Sequence, residues 1–98
     1  MGVADIESTF ASRLDQFGEL DAKLKFDLGD DHLFIDGTHT PATMSHADDD
    51  ADTTIVISPA DLEKILHGQL DATMAFMTGK LKVKGSTALA LKLANILK

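Results

Sequence analysis

The sequence predicts an α+β domain, a single β-sheet of about five strands covered by helices, and three observations carry that expectation. Apolar residues recur with a helical period near both ends of the chain. The period changes to two from Ala22 to Leu28 and again from Lys80 to Lys84. Between these segments runs a β-branched stretch, Thr53-Thr54-Ile55-Val56-Ile57. With 98 residues there is room for one core, so residues 1–98 are read as a single domain.

Each element has its own signature. Val3, Ile6, Phe10, Leu14 and Phe17 recur at three- and four-residue steps, which places them on one stripe of an amphipathic helix. Gly18 follows where a left-handed cap would close that helix. Ala22, Leu24, Phe26 and Leu28 then alternate with Lys23, Lys25 and Asp27, as in a half-buried strand. Gly29-Asp30-Asp31 is a turn signal, and Leu33-Phe34-Ile35 begins the return strand of a hairpin. Thr38, Thr40, Thr43 and Met44 suit a third strand, with Pro41 at its beginning or edge. The polar run 46–52 is a solvent loop, and the β-branched run after it is a well-buried strand.

The second half is marked by caps. Ser58-Pro59-Ala60-Asp61 sets a capping hydroxyl before a proline at the first helical position, with an acid three residues after the cap. Leu62, Ile65 and Leu66 form the stripe of that helix, and Gly68 ends it. Asp71 caps a further short helix through Met77, closed by Gly79. Lys80 to Lys84 is a strand, Gly85 turns the chain, and Ser86 caps a last helix over 87–97. The predicted order is α-β-β-β-β-α-α-β-α, with the helices on one sheet face.

Composition excludes several classes of function. There is no cysteine, hence no disulfide, no thiolate ligand and no cysteine nucleophile. No run approaches the roughly 18 apolar residues that span a bilayer. The opening residues carry acid early, unlike a signal peptide, and Asn95-Ile96-Leu97-Lys98 is not a peroxisomal ending. The expected location is cytoplasmic. Net charge is −7, but it is divided: all sixteen acids and four bases precede residue 79, and the rest holds five lysines at 80, 82, 84, 92 and 98. That balance argues against nucleic acid as a partner. The lysines form either a solvated strand face or a transient contact with an anionic head group or membrane surface.

Catalytic and metal patterns fail on inspection. His32, His39 and His46 recur every seven residues, but at a turn, between strands and at a loop edge, with no ligand pattern around them. Asp48, Asp50 and Asp52 have the spacing that opens a calcium loop, yet Thr53 stands where glycine is needed and Pro59 where the bidentate Glu belongs. The serines include helix caps and no nucleophile elbow. No enzyme, metal or cofactor is expected.

What stands out is surplus apolar surface. Leu89, Leu93, Ile96 and Leu97 share one stripe of the last helix, while Leu91 lies about 200° around from Leu89. Met74-Ala75-Phe76-Met77 likewise offers large side chains in successive directions. A helix apolar on two faces needs two apolar neighbours, and the second is more protein, a partner chain or a ligand. Periodicity does not separate these.

A resemblance does. Met74-Ala75-Phe76-Met77-Thr78-Gly79-Lys80-Leu81-Lys82-Val83-Lys84-Gly85, followed by Ala88-Leu89-Ala90-Leu91-Lys92-Leu93, resembles the C-terminal signature of the sterol carrier protein 2 family. Asp52-Thr53-Thr54-Ile55, Ser58, Asp61-Leu62 and Gly68 resemble the family's preceding strand and helix. The match runs from about Asp52 to Leu97, and upstream it rests on element order and Phe26-Asp27-Leu28-Gly29-Asp30-Asp31. The resemblance implies a mixed sheet covered by helices around an apolar tunnel. It implies binding of a fatty acid, fatty acyl-coenzyme A, phospholipid or sterol, without catalysis. The motif positions that would line the tunnel are Met74, Phe76 and Met77, with Leu89 and Leu93 of the last helix. Ile65 and Leu66 are added from the stripe of the earlier helix. An acyl-coenzyme A phosphate would meet Lys80, Lys82 or Lys84. The alternative is an interaction or dimerisation domain whose surplus apolar surface is closed by a partner chain.

Overall fold

The alternating segments do become strands. The computed structural model describes residues 3–97, with side chains from Ile6 onward. Its elements are α1 (Val3–Ala11), α2 (Leu14–Gly18), β1 (Lys23–Asp27), β2 (His32–Asp36), β3 (Thr43–Ser45), β4 (Thr53–Ile57), α3 (Pro59–Leu66), α4 (Ala72–Met77), β5 (Leu81–Gly85) and α5 (Thr87–Leu97). The strands form one mixed sheet in the order β3-β2-β1-β4-β5. β1 and β4 run parallel, and every other pair is antiparallel. No helix among the described residues is long and apolar enough to cross a membrane.

The pleat decides which side is core. Leu24 and Phe26 of β1 lie opposite Ile35 and Leu33 of β2, and Phe26 lies beside Ile55 of β4. These residues are buried in one cluster with Ile6, Phe10 and Phe17 of the first helices, Leu62 and Ile65 of α3, and Leu93 and Leu97 of α5. Helices therefore cover that face. The other face carries Lys23, Lys25, Asp27, Lys82 and Lys84, and Asp48 of the 46–52 loop pairs with Lys25 at 2.8 Å.

Two local expectations change. The predicted first helix is two, separated at Ser12-Arg13. On an unbroken helix Phe10 and Phe17 would stand about 10 Å apart along the axis. The break brings their ring centroids to 5.3 Å, edge to face, with Phe26 4.8 Å from Phe10. Arg13 at the corner donates from Nη1 to the carbonyl of Ile96 at 2.8 Å, which satisfies an orphan carbonyl near the end of α5. Val3, also assigned to this stripe, has its side chain outside the described residues. Gly18 is not a left-handed cap: it ends α2 with ordinary φ, and a Cβ there would lie 2.7 Å from the carbonyl of His39. Close backbone approach, not conformation, requires glycine at that point.

The predicted caps form. Ser58 Oγ accepts from the Asp61 amide at 3.2 Å, Asp71 Oδ1 from the Thr73 amide at 2.7 Å, and Ser86 Oγ from the Leu89 amide at 3.2 Å. Gly68 and Gly79 follow α3 and α4 with positive φ. Gly85 combines both demands on a glycine. Its φ is +104°, and a Cβ would lie 2.5 Å from the carbonyl of Asp52. Gly85→Ala should cost about 1–3 kcal/mol from the backbone conformation alone, and more from the clash. Gly29→Ala, at φ +91° with open space around it, should cost less. Thermal melts of the two variants side by side check this ordering.

The end of β3 is fastened to α1 by charge. His46 Nδ1 lies 3.0 Å from Asp31 Oδ1, and its Nε2 pairs with Glu7. The hydrogen bond to Asp31 raises the His46 pKa above its ordinary 6.5, and the same bond holds Asp31 below its ordinary value. The imidazolium's share of stability is complete below 6.5 and is lost as pH rises through the raised pKa. The carboxylate's share is lost as pH falls through the lowered Asp31 pKa. The melting-temperature gap between the parent and His46→Gln should thus be widest between those two pKa values and close on the alkaline side. A gap independent of pH would show that the contact carries no charge.

Candidate functional site

The hollow part of the fold lies at the β5 edge. Leu81 and Val83 alternate with lysines, so they turn toward the helices, and with Ile55 of β4 they form the floor of a cavity of about 180 Å³. Ala72, Thr73 and Phe76 of α4 make one wall. Thr87, Ala90, Leu91, Leu93, Ala94 and Leu97 of α5 make the other. Apart from the two threonine hydroxyls, the lining side chains are hydrocarbon.

Small residues create the space. Ala90 and Ala94 lie one turn apart on α5, so they share a face. Both turn toward the floor where a leucine would fill the gap. Ala72 and Thr73 do the same on α4. The last helix is held at that distance from its strand by the Gly85 turn and by Thr53, whose buried hydroxyl donates to the Ser86 carbonyl at 2.9 Å.

The seven residues predicted from sequence divide into three groups. Phe76 and Leu93 line the cavity. Ile65 is buried in the main core, Leu66 packs against that core, and Leu89 is half-buried on α5 outside the lining. Met74 and Met77 face outward, 52% and 72% exposed. The helix explains this: α4 docks through Ala75, which is fully buried. At 100° per residue Met74 and Phe76 flank that contact and Met77 points away from it. Lys80 and Lys82, expected near a phosphate, border a separate open depression with Asp27 and Ser58.

Sequence inspection missed the floor and the alanines. The floor is legible in the β5 alternation, which predicts the strand but not what its apolar side faces. The alanines give no such signal, because large apolar side chains mark what fills space, not what leaves it open. Among the described residues no group of three His, Asp or Glu side chains could hold a metal ion.

The mixed five-stranded sheet with its helices on one face, and an apolar cavity between the sheet edge and the last two helices, define an α+β domain with a hollow side. The chain belongs to the SCP-2 sterol transfer family, whose model matches residues 5–98. Hydroxysteroid dehydrogenase-like protein 2 of Bos taurus is 49% identical over 49 residues, covering 50% of this chain and 12% of that protein. The match thus spans about an eighth of that relative's length. Sterol carrier protein 2 of Yarrowia lipolytica in its apo form superposes with a TM-score of 0.70 at 23% identity, covering 88% of this chain and 73% of that one. Palmitated SCP2L2 of Aedes aegypti superposes with a TM-score of 0.67 at 20% identity, covering 99% and 95%.

If small residues keep the cavity open, Ala90→Leu should fill it. About three added carbons, at roughly 0.8 kcal/mol each, would stabilise the ligand-free protein by about 2 kcal/mol. In a domain of this size that is a rise on the order of 10 °C in Tm. A fall in Tm would show that the volume is already occupied by packed side chains.

Proposed function

We propose that the domain binds a single fatty acyl chain in the α4–α5 cavity and carries it without chemical change. The observation that carries this is the hydrocarbon lining opening to solvent between Phe76 and Leu91, which line the cavity and are themselves 51% and 67% exposed. Thr73 and Thr87 offer the only polar side chains of the lining, suited to a carboxylate or ester left outside. At about 180 Å³ the space is below the roughly 300 Å³ where ligand pockets begin. A flexible chain can enter such a space in part and widen it, whereas a rigid ring system needs its full width at once. The palmitate of the Aedes aegypti relative supports the same class of ligand. Of the residues predicted from sequence, Phe76 and Leu93 are proposed as direct contacts, and Met74, Met77, Leu89, Ile65 and Leu66 as neighbours whose packing shapes the walls. No residue is assigned a catalytic role. A chain without cysteine suits a reducing compartment, and we place the carriage in the cytoplasm.

A ligand that binds only the folded protein stabilises it by mass action, by about 2.7 kcal/mol at a hundredfold excess over Kd. Delipidated protein given palmitate should therefore melt on the order of 10 °C higher. Native mass spectrometry should show one added fatty acid per chain. The Ala90→Leu variant should show neither effect. A protein that stays unliganded and unshifted with fatty acid, acyl-coenzyme A, phospholipid and sterol would sink the proposal.

A further inference from the structure

We infer that the cavity is blind at Leu97 and so measures its guest, enclosing about seven carbons of an acyl chain. A medium-length chain is then taken in almost whole, and any longer remainder stays outside. This rests on the proposed lipid binding, which names no chain length.

Burial is graded along the wall that α5 provides. Thr87 and Leu91 are exposed and Ala90 and Ala94 half-buried, while Leu93 and Leu97 are only 1% and 2% exposed. One end of the hollow therefore opens to water, and the other stops against packed side chains. The stop is firm. Leu97 belongs to the core cluster with Ile6, Phe10 and Phe17, and Arg13 holds the carbonyl of the neighbouring Ile96 at 2.8 Å. A guest that widens the mouth moves exposed side chains, whereas one that passes Leu97 must break into the core.

Two measures of depth agree. From Leu91 at the mouth to Leu97 is six residues of helix, about 9 Å at about 1.5 Å per residue. An extended acyl chain advances about 1.25 Å per carbon, given a bond of about 1.5 Å and an angle near 111°. About seven carbons fill that depth. At roughly 30 Å³ for a group the size of a water molecule, the cavity of about 180 Å³ seats about six. Ala94, which lines the cavity, stands midway between the mouth and the stop. Carbons beyond the mouth meet Phe76 and Leu91 within reach of water.

Each enclosed methylene contributes about fourfold in affinity, and each one left outside far less. Calorimetric titration of the delipidated protein with saturated fatty acids from hexanoate to palmitate, below their micelle concentrations, reads this difference. Affinity should climb about fourfold per carbon as far as octanoate and then level off. Ala94→Leu halves the depth, so it should move the plateau about three carbons shorter and weaken the longer acids roughly 50-fold. Leu97→Ala removes Cγ and both Cδ atoms of the stop and should move the plateau about two carbons longer. Should Leu97→Ala fail to fold, the chain-length series and Ala94→Leu still decide the outcome. A fourfold rise that continues to palmitate would overturn the inference and leave lipid binding intact. So would a plateau that Ala94→Leu or a folded Leu97→Ala leaves in place. No binding at any length would overturn both.

Discussion

The cavity depends on how the chain leaves β5. Gly85 lets the backbone turn at φ +104° with its Cα pressed against the Asp52 carbonyl, and only the absence of a Cβ permits that approach. One residue later the Ser86 carbonyl receives the Thr53 hydroxyl, while the Ser86 side chain caps α5. The start of β4 and the start of α5 are thus joined by backbone contact and by a buried hydrogen bond. With that end anchored, and the other tied by Arg13 to the Ile96 carbonyl, α5 spans the sheet as a beam fixed at both ends. What lies beneath it is set by the side chains it presents, and at two successive turns those are alanines.

A hollow of this size has an energetic meaning. At about 24 cal/mol per Å³, roughly 180 Å³ of empty apolar space forgoes about 4 kcal/mol, an upper limit because the mouth is open. Domains of this length have about 5–15 kcal/mol in total. The loss is tolerable because dense packing is concentrated elsewhere. Phe10 packs edge to face on Phe17 and against Phe26 under the break between α1 and α2, with Leu24, Leu33 and Ile35 fully buried around them. The sheet therefore has a solid half at β1–β2 and an open half at β4–β5, with β1 and β4 joined in parallel register between the two.

Much of this was legible in the sequence, and the failures share a cause. Alternation at 22–28 and 80–84, the β-branched run at 53–57, and the caps at Ser58, Asp71 and Ser86 are local signals, and the elements they predict are present. The break at Ser12-Arg13 is not local. It exists because Phe17 packs edge to face on Phe10, which also lies against Phe26 of β1, sixteen residues further along the chain, and only the sheet brings that ring in. Gly18 reads as a cap by position, but its role is set by the 39–40 backbone crossing over it. The orientation of α4 was invisible for the same reason. Three large apolar residues surround Ala75, and periodicity favours burying them, yet the short distance to β5 and α5 admits the alanine, leaves Phe76 at the mouth of the cavity and turns both methionines outward.

That outward turn runs against what would stabilise α4 on its own. A short helix in need of stability would gain by burying Met74, Phe76 or Met77 at about 1.5–3 kcal/mol each. Here the largest side chains are spent on solvent and the smallest on the core.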